Sequence, residues 1–480
     1  MQSEKGLQRR LGLIDATSIV AGSMIGSGIF IVSTFMARDI GSSGYLLLLW
    51  VVTGLITITA ALSYGELAGM MPNAGGQYVY IQRAYGKLVS FLYGWTVFTV
   101  IQTGVIAAVA VAFAKYTSVF FPDLNHELFK LNESFSISYA QLLAMACIFF
   151  LTLVNSRGLQ EARIVQLIFT SAKLFALFAL IVLGLAWGFK SDTLSNNFAQ
   201  MWNASKTTFA DGTLTIVPLS GFALLGAMGA TIINSLFSSD AWNNVTFIAG
   251  EIKDPQRNIP RSLFLGTLIV TLVYILTNIA YLALLPLHGD PMGVDAYAQG
   301  IQFATNDRVG TAAASVIFGN NAAYLMAALI MISTFGCNNG IILAGSRLFY
   351  AMSKDGLFFK KAQNLNRRQV PEFALWVQCI WACVLCLSGK YSDLLTYATF
   401  ASLLFYMLCI GGIFILRKRE PNAERPYRAW GYPVVPIIYI VVTLAICIDL
   451  MVYDTRNTGL GLAIVALGIP VYFFRKKATT

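Results

Sequence analysis

The first long apolar segment of the chain, residues 11–37, is interrupted at its midpoint. Three glycines and two serines lie within residues 22–30. Each glycine costs a helix about 1 kcal/mol relative to alanine, and irregular backbone at membrane depth is tolerated only where it is buried in protein or lines a cavity. The segment therefore predicts a broken transmembrane helix. The alternative is a small-residue packing face, for which Gly22, Gly26 and Ser27 have suitable spacing.

Composition places the whole chain in a membrane. Of its 480 residues 57% are hydrophobic and only 12% are charged, with a mean hydropathy of +0.67. A bilayer-spanning helix needs about 20 apolar residues. We predict an all-α membrane protein with about twelve transmembrane helices in one domain, residues 1–475. The predicted segments are 11–37, 45–70, 90–121, 137–155, 162–189, 217–248, 262–286, 318–352, 373–388, 391–416, 432–453 and 458–474.

The charge distribution predicts the orientation. If the N-terminus is cytosolic, most of the 33 Lys and Arg residues fall in the inner loops and tails. This is the positive-inside bias, and it predicts a multi-pass protein of the plasma or inner membrane with both termini cytoplasmic. The net charge of +10 is thus explained by the bilayer, and we predict no nucleic-acid partner.

A second interruption lies in the sixth segment, where residues 238–244 are mostly polar and include Asp240. An acid near the bilayer midplane costs at least about 2.5 kcal/mol on insertion scales. Secondary transporters built from inverted repeats carry broken helices in corresponding positions. The five-helix offset therefore favours broken helices 1 and 6 over a packing face. It predicts a first repeat at 11–190, a second at 217–416, and two additional helices at 432–474.

Broken helices leave backbone amides and carbonyls without helical partners. The amides suit an anion and the carbonyls suit a cation, and an amino acid zwitterion carries both charges.

Other classes of protein fit the sequence less well. A channel usually repeats its filter element around a pore axis, and no such tandem repeat is present. We predict no enzyme, cofactor or metal site, because both histidines, His126 and His288, fall in outer loops and no metal-binding or nucleophile pattern occurs in the spans.

Seven motifs resemble the amino acid–polyamine–organocation superfamily, and within it the L-type amino acid transporter family in its prokaryotic branch. They are residues 23–30, 63–67 with 75–78, 169–174, 242–243, 250–255, 333–336 and 346–349. The resemblance covers about residues 8–475. It implies a leucine-transporter-type fold of two inverted five-helix repeats.

The resemblance also implies the roles of residues in the two breaks. The substrate carboxylate would meet the amides of Ser27 and Gly28, with help from the Ser27 hydroxyl. The amino group would meet bared carbonyls, and Phe237 would close over the substrate as a gate. The implied substrate-binding positions are Met24, Ile25, Gly26, Ser27 and Gly28 in the first break, and Phe237, Ser238, Ser239 and Asp240 in the second.

Lys173 lies about eleven residues inside the fifth segment. It would have to stretch far to reach an interface, which is the alternative interpretation. In sodium-independent relatives a lysine at this position takes the place of a sodium ion beside the broken first helix. Because a buried lysine can lose its proton, Lys173 could act as a fixed cation or as a proton carrier.

Asp240 admits several interpretations. It could contact a cationic side chain of the substrate, relay a proton, or cap the second half of the sixth segment, since Asp is a good N-cap residue. The mixed-charge inner loops around Glu251 and Asp355 could likewise form gate ion pairs or ordinary solvated turns.

These features together predict a sodium-independent amino acid transporter that works by alternating access, as an exchanger or a proton-linked carrier. Small or mid-sized neutral L-amino acids are the expected substrates, and a cationic amino acid or polyamine is the alternative because of Asp240. The outer loop 122–130 has no cysteine, unlike animal members of the family, so we expect no covalent heavy-chain subunit.

Overall fold

The computed structural model describes residues 7–132, 135–388 and 391–479. The predicted domain of residues 1–475 therefore includes residues 1–6, 133–134 and 389–390, which lie outside this description.

The described chain is almost entirely helical, and its helices follow the predicted order. Segment 1 is split into Leu13–Met24 and Val32–Ile40, and segment 6 into Gly221–Ser238 and Asn244–Phe247. The other ten segments are Ser43–Met70, Lys87–Thr117, Tyr139–Arg157, Leu159–Gly188, Pro255–Leu284, Ala322–Lys354, Glu372–Ser388, Tyr391–Arg419, Val434–Tyr453 and Thr455–Thr479.

Ten helices in the described ranges are long and apolar enough to cross a membrane. Segment 1 falls short because its halves have 12 and 9 residues, and segment 9 because it has 17. These two complete the predicted twelve. A π-helical turn, Val97–Ile101, interrupts segment 3.

Shorter elements connect the spans. The helices are Gln77–Tyr85, Thr193–Ala199, Ala296–Gln299 and Val309–Phe318, and the 3-10 turns are Gly28–Phe30, Pro122–Asn125, Ala249–Glu251, Thr305–Asp307, Gly319–Asn321 and Lys360–Gln363. Two antiparallel hairpins pair Glu127–Asn132 with Phe135–Ser138 and Ala204–Ala210 with Thr213–Leu219.

The predicted start of segment 6 at residue 217 is wrong. Residues Thr213–Leu219 form the second strand of a hairpin, and the helix begins at Gly221. Asp211 and Gly212 form a two-residue loop in which both φ angles are positive, at 50° and 74°. This turn matches the natural twist of a hairpin, and the β-branched residues that follow it suit a strand.

The predicted start of segment 8 at residue 318 also needs correction. A separate helix, Val309–Phe318, ends there, and Gly319 takes a φ of 62° before segment 8 begins at Ala322. A positive φ is easily adopted by glycine and ends a right-handed helix.

Segments 7 and 8 hold segment 1 in the centre of the molecule. Segment 7 packs against segments 1, 2 and 5, and segment 8 packs against segments 1, 3 and 5. The middle of segment 1, residues 19–34, is therefore buried without interruption.

Ion pairs fasten one end of this helical core. Arg347 on segment 8 forms a fully buried pair with Glu251, with Nη2 and Oε1 3.0 Å apart. Glu66 at the end of segment 2 pairs with Arg417 and Arg425. The loop that contains Glu251 therefore forms a buried ion pair and is not an ordinary solvated turn.

The loop that contains Asp355 is held by hydrogen bonds. Asp355 accepts them from Tyr78 and Gln82.

Candidate substrate site between the two broken helices

The first half of segment 1 ends at Met24, and Ile25 has an extended backbone with φ −77° and ψ 93°. The 3-10 turn Gly28–Phe30 follows, so its first amides have no partner within the turn. The backbone between the two halves is buried in protein. The predicted break in segment 1 is therefore present, and it bares both amides and carbonyls.

Segment 6 breaks in the same way. Its first half ends at Ser238, Ala241 takes a φ of 66°, and the second half begins at Asn244. A positive φ is strained for alanine and persists only where the surrounding structure holds it. Residues 239–243 of the polar run thus lie in irregular backbone between the two half-helices rather than in a continuous helix.

The two breaks touch each other at Gly28. A Cβ atom added to Gly28 would lie 2.2 Å from Ser238 Oγ and 3.1 Å from Ser238 Cα. Only glycine allows this approach. The residues that the sequence placed in separate breaks are therefore brought into one site.

Tyr274 on segment 7 joins the two breaks, a role that the sequence did not predict. Its hydroxyl oxygen lies 3.1 Å from the Met24 carbonyl and 3.0 Å from the Ser238 carbonyl, so one O–H is shared between them. Nothing in the apolar run around Tyr274 distinguishes it from an ordinary packing aromatic.

We expect Tyr274→Phe to weaken transport. Removing the hydroxyl leaves two buried carbonyls without their donor, at a cost of about 1–3 kcal/mol. The loss should appear as a lower thermal midpoint of the purified protein and slower substrate exchange in proteoliposomes. Tyr453→Phe, a change at an exposed tyrosine, is the control. Equal behaviour of the two variants would contradict the role of Tyr274.

Lys173 points into the break in segment 1. Its side chain is 1% exposed, and Nζ donates to the carbonyl oxygens of Gly22 at 2.6 Å, Ile25 at 2.7 Å and Ser333 at 3.3 Å. These three contacts use all three of its donors. Lys173 therefore does not reach for an interface, and among the described residues no carboxylate forms an ion pair with it.

Segment 8 supplies further donors to the same backbone. Ser333 Oγ lies 3.2 Å from the Ile25 carbonyl and 3.1 Å from the Gly26 carbonyl, and Cys337 Sγ lies 3.0 Å from the Ser23 carbonyl. The end of the first half-helix, which favours a cation, is thus held by one ammonium and two neutral donors.

A cavity of about 30 Å³ lies between the breaks. A water molecule needs about 10–15 Å³ by this measure, so the cavity is too small for an amino acid in this conformation. Its lining residues are Ser23, Met24, Gly26, Ser27, Gly28, Val105, Val109, Phe237, Ser238, Asp240, Ala241 and Cys337.

Two predicted positions do not line this cavity. The Ile25 carbonyl is turned towards Lys173, and Ser239 lines a neighbouring cavity with Thr57 and Tyr439. Segments 3 and 8 contribute Val105, Val109 and Cys337, which the sequence analysis did not identify.

Asp240 lines both the cavity between the breaks and the neighbouring one. Its Oδ1 accepts a hydrogen bond of 2.6 Å from the hydroxyl of Tyr406 on segment 10. The N-cap residue of the second half-helix is Asn243, so the interpretation of Asp240 as that cap is wrong. Tyr406 holds the carboxylate instead, and segment 10 is thereby tied to the break.

In the described ranges, ten helices long enough to span a membrane join segments 1 and 9, and the broken segments 1 and 6 meet around a buried cavity. This is the architecture of a multi-pass membrane transporter. The chain belongs to the amino acid permease family, whose model matches residues 11–472.

Relatives of known function match nearly the whole chain. The large neutral amino acids transporter small subunit 2 of Homo sapiens is 30% identical, over 97% of this chain and 80% of its own length. The serine/threonine exchanger SteT of Bacillus subtilis is 28% identical, over 99% of this chain and 98% of its own. The Asc-type amino acid transporter 1 of Mus musculus is 28% identical, over 97% of this chain and 81% of its own length.

Proposed function

We propose that this protein is a sodium-independent amino acid transporter that works by alternating access, as an exchanger or a proton-linked carrier, and that it carries out no catalysis. The observation that carries the proposal is the ammonium of Lys173 on the carbonyls of Gly22 and Ile25. A positive charge already occupies the carbonyl oxygens that a metal cation would need, so a bound sodium ion is not required there.

We propose small or mid-sized neutral L-amino acids as substrates. The relatives named for large neutral amino acids and for serine and threonine support this. The substrate carboxylate would accept from the amides of Ser27 and Gly28 and from the Ser27 hydroxyl, at the start of a helical turn that favours an anion.

The substrate amine would donate to the carbonyls of Met24, Phe237 and Ser238; the Ile25 carbonyl, which the sequence also suggested, already accepts from Lys173 and Ser333. Tyr274 already donates to the Met24 and Ser238 carbonyls. A carbonyl oxygen has two lone pairs and can accept a second hydrogen bond. The same oxygens can therefore hold Tyr274 and the amine together.

The size of the cavity supports alternating access. Because the space between the breaks is too small for an amino acid in this conformation, the half-helices have to separate before substrate binds. Phe237 is the large apolar residue on the cavity wall, and we propose that it opens and closes over the substrate.

Phe237→Ala is expected to slow exchange about tenfold, which equals about 1.4 kcal/mol in the barrier, because the truncated side chain no longer seals the occupied site. The measurement is the initial rate of labelled substrate exchange at matched protein amounts. Phe222→Ala is the control, since Phe222 is 89% exposed at the start of the same segment. If the exchange rate and the substrate affinity were unchanged in Phe237→Ala, Phe237 would have only a packing role.

We further infer that residues 11–190 and 217–416 form the two inverted repeats, with 432–474 as two additional helices. We place the protein in the inner membrane of the cell. Both of its termini face the cytosol, because the inner loops carry most of the positive charge. The carrier needs no covalent partner, because its outer loop 122–130 offers no cysteine.

The test is a competition panel in proteoliposomes. We expect saturable uptake, stimulation by substrate on the opposite side, and competition by small and mid-sized neutral amino acids. Competition by lysine, arginine or polyamines alone would favour the cationic alternative, with Asp240 as its contact. Non-saturating flux without stimulation from the opposite side would favour a channel.

A further inference from the structure

A second cavity, of about 300 Å³, lies at the end of the molecule that holds the 4–5 and 8–9 loops. None of the residues in the two breaks lines it. Four arginines do: Arg10 before segment 1, Arg157 at the end of segment 4, and Arg367 and Arg368 in the 8–9 loop. The cavity therefore gathers positive charge from three separate parts of the chain.

The acidic residues of this cavity do not cancel that charge. Glu251 is already paired with Arg347, whose side chain is fully buried and outside the lining. Glu161 lies 3.6 Å from Arg368 and offsets one of the four positive charges. Arg10, Arg157 and Arg367 form no ion pair within the described ranges.

The backbone adds to the positive potential. The 30-residue segment 5 begins at Leu159, its N-cap residue is Gly158 and no side-chain cap hydrogen bond is made there. Glu161 is the acidic residue of its first turn. Gly158, Leu159 and Gln160 all line the cavity, so the first amides of the helix and the positive end of its dipole are close to the arginines.

An apolar stripe leads away from the cavity along segment 5. Ile164, Ile168 and Phe175 follow Glu161 at helical spacing, and all three are exposed. Ile14 on segment 1 is 74% exposed. Asp15, the next residue, forms an ion pair of 2.7 Å with Arg163, so the start of segment 1 is close to this part of segment 5.

We propose that this cavity binds the phosphate group of an anionic phospholipid, whose acyl chains lie on the stripe. Arginine binds phosphate through paired hydrogen bonds, and basic pockets between transmembrane helices take anionic head groups. The apolar stripe beside the cavity suits the acyl chains of a lipid, which a free phosphate lacks. The bound lipid would fasten the start of segment 1 to the 4–5 and 8–9 loops.

The experiment measures the thermal midpoint of the purified protein in detergent, alone and with phosphatidylglycerol, phosphatidylcholine or inorganic phosphate. Because the measurement does not depend on transport activity, it can contradict the lipid site while the proposed function stands. We expect an upward shift with phosphatidylglycerol alone. Equal stabilisation by inorganic phosphate would show that the ligand is not a lipid. The absence of any selective shift would contradict the proposed site.

Variants test where the lipid binds. Arg10→Gln with Arg367→Gln should lose the phosphatidylglycerol shift, and Arg157→Gln alone should reduce it. Arg428→Gln, at an exposed arginine that does not line the cavity, should keep the full shift. An equal shift in all variants would overturn the proposal, because it would indicate a general attraction of the basic protein for anionic lipid.

Discussion

Gly28→Ala is expected to reduce exchange to less than a tenth of the wild-type rate, a penalty of more than about 1.4 kcal/mol. A single methyl group at this position would lie 2.2 Å from Ser238 Oγ and 3.1 Å from backbone of the second break. The two half-helices would be pushed apart at the proposed carboxylate site, and the amide of residue 28 would be displaced. The measurement is exchange of labelled substrate in proteoliposomes.

Gly104→Ala is the matched control. Gly104 is also buried in a membrane helix, but a Cβ atom there meets nothing within 4 Å. Both variants should be expressed and elute as single species on size exclusion, so that a difference in exchange reports the site rather than folding. Wild-type exchange by Gly28→Ala would show that the contact between the breaks is not part of the transport site.

Lys173→Met is expected to have the second large effect. The substitution keeps an unbranched, flexible side chain of similar length but removes three charge-assisted hydrogen bonds to backbone carbonyls, each worth about 1.5–3 kcal/mol. The carbonyls of Gly22 and Ile25 would then repel each other without a cation between them. We expect a strong loss of substrate affinity or arrest in one facing state, seen as a fall in exchange of at least about tenfold.

Lys190→Met controls for the chemistry of the substitution, because Lys190 is exposed just beyond the end of the same helix. The response of transport to pH and to a proton gradient distinguishes the two possible roles of Lys173. A fixed cation gives exchange that is nearly flat between pH 6 and 8. A proton carrier gives uptake driven by an inward proton gradient, and that uptake disappears in Lys173→Met.

The breaks in segments 1 and 6 could be predicted from sequence because their cause is local. Glycines, serines and an acid at bilayer depth are costly in a plain spanning helix, whatever surrounds them. The position of Lys173, eleven residues into its segment, disfavoured an interface for a similar reason. Here burial of the ammonium against the Gly22 and Ile25 carbonyls agrees with that prediction.

Other parts of the site depend on which helices pack together, and no local pattern reveals this. Tyr274 and Tyr406 lie in apolar runs, yet one holds both breaks and the other holds Asp240. The start of segment 6 was placed too early because the β-branched residues after Gly212 are as apolar as a helix. The Asp211–Gly212 pair was the available signal for a hairpin.

The most direct test of the account is the ion dependence of transport. Uptake of a neutral amino acid that competes in the panel should be measured in proteoliposomes with external sodium and again with sodium replaced by choline. Because the Lys173 ammonium already holds the carbonyls of the first break, the account predicts the same rate and the same half-saturating substrate concentration in both. A steep loss of uptake in choline would contradict it, since a sodium ion would then be needed where the structure places the lysine.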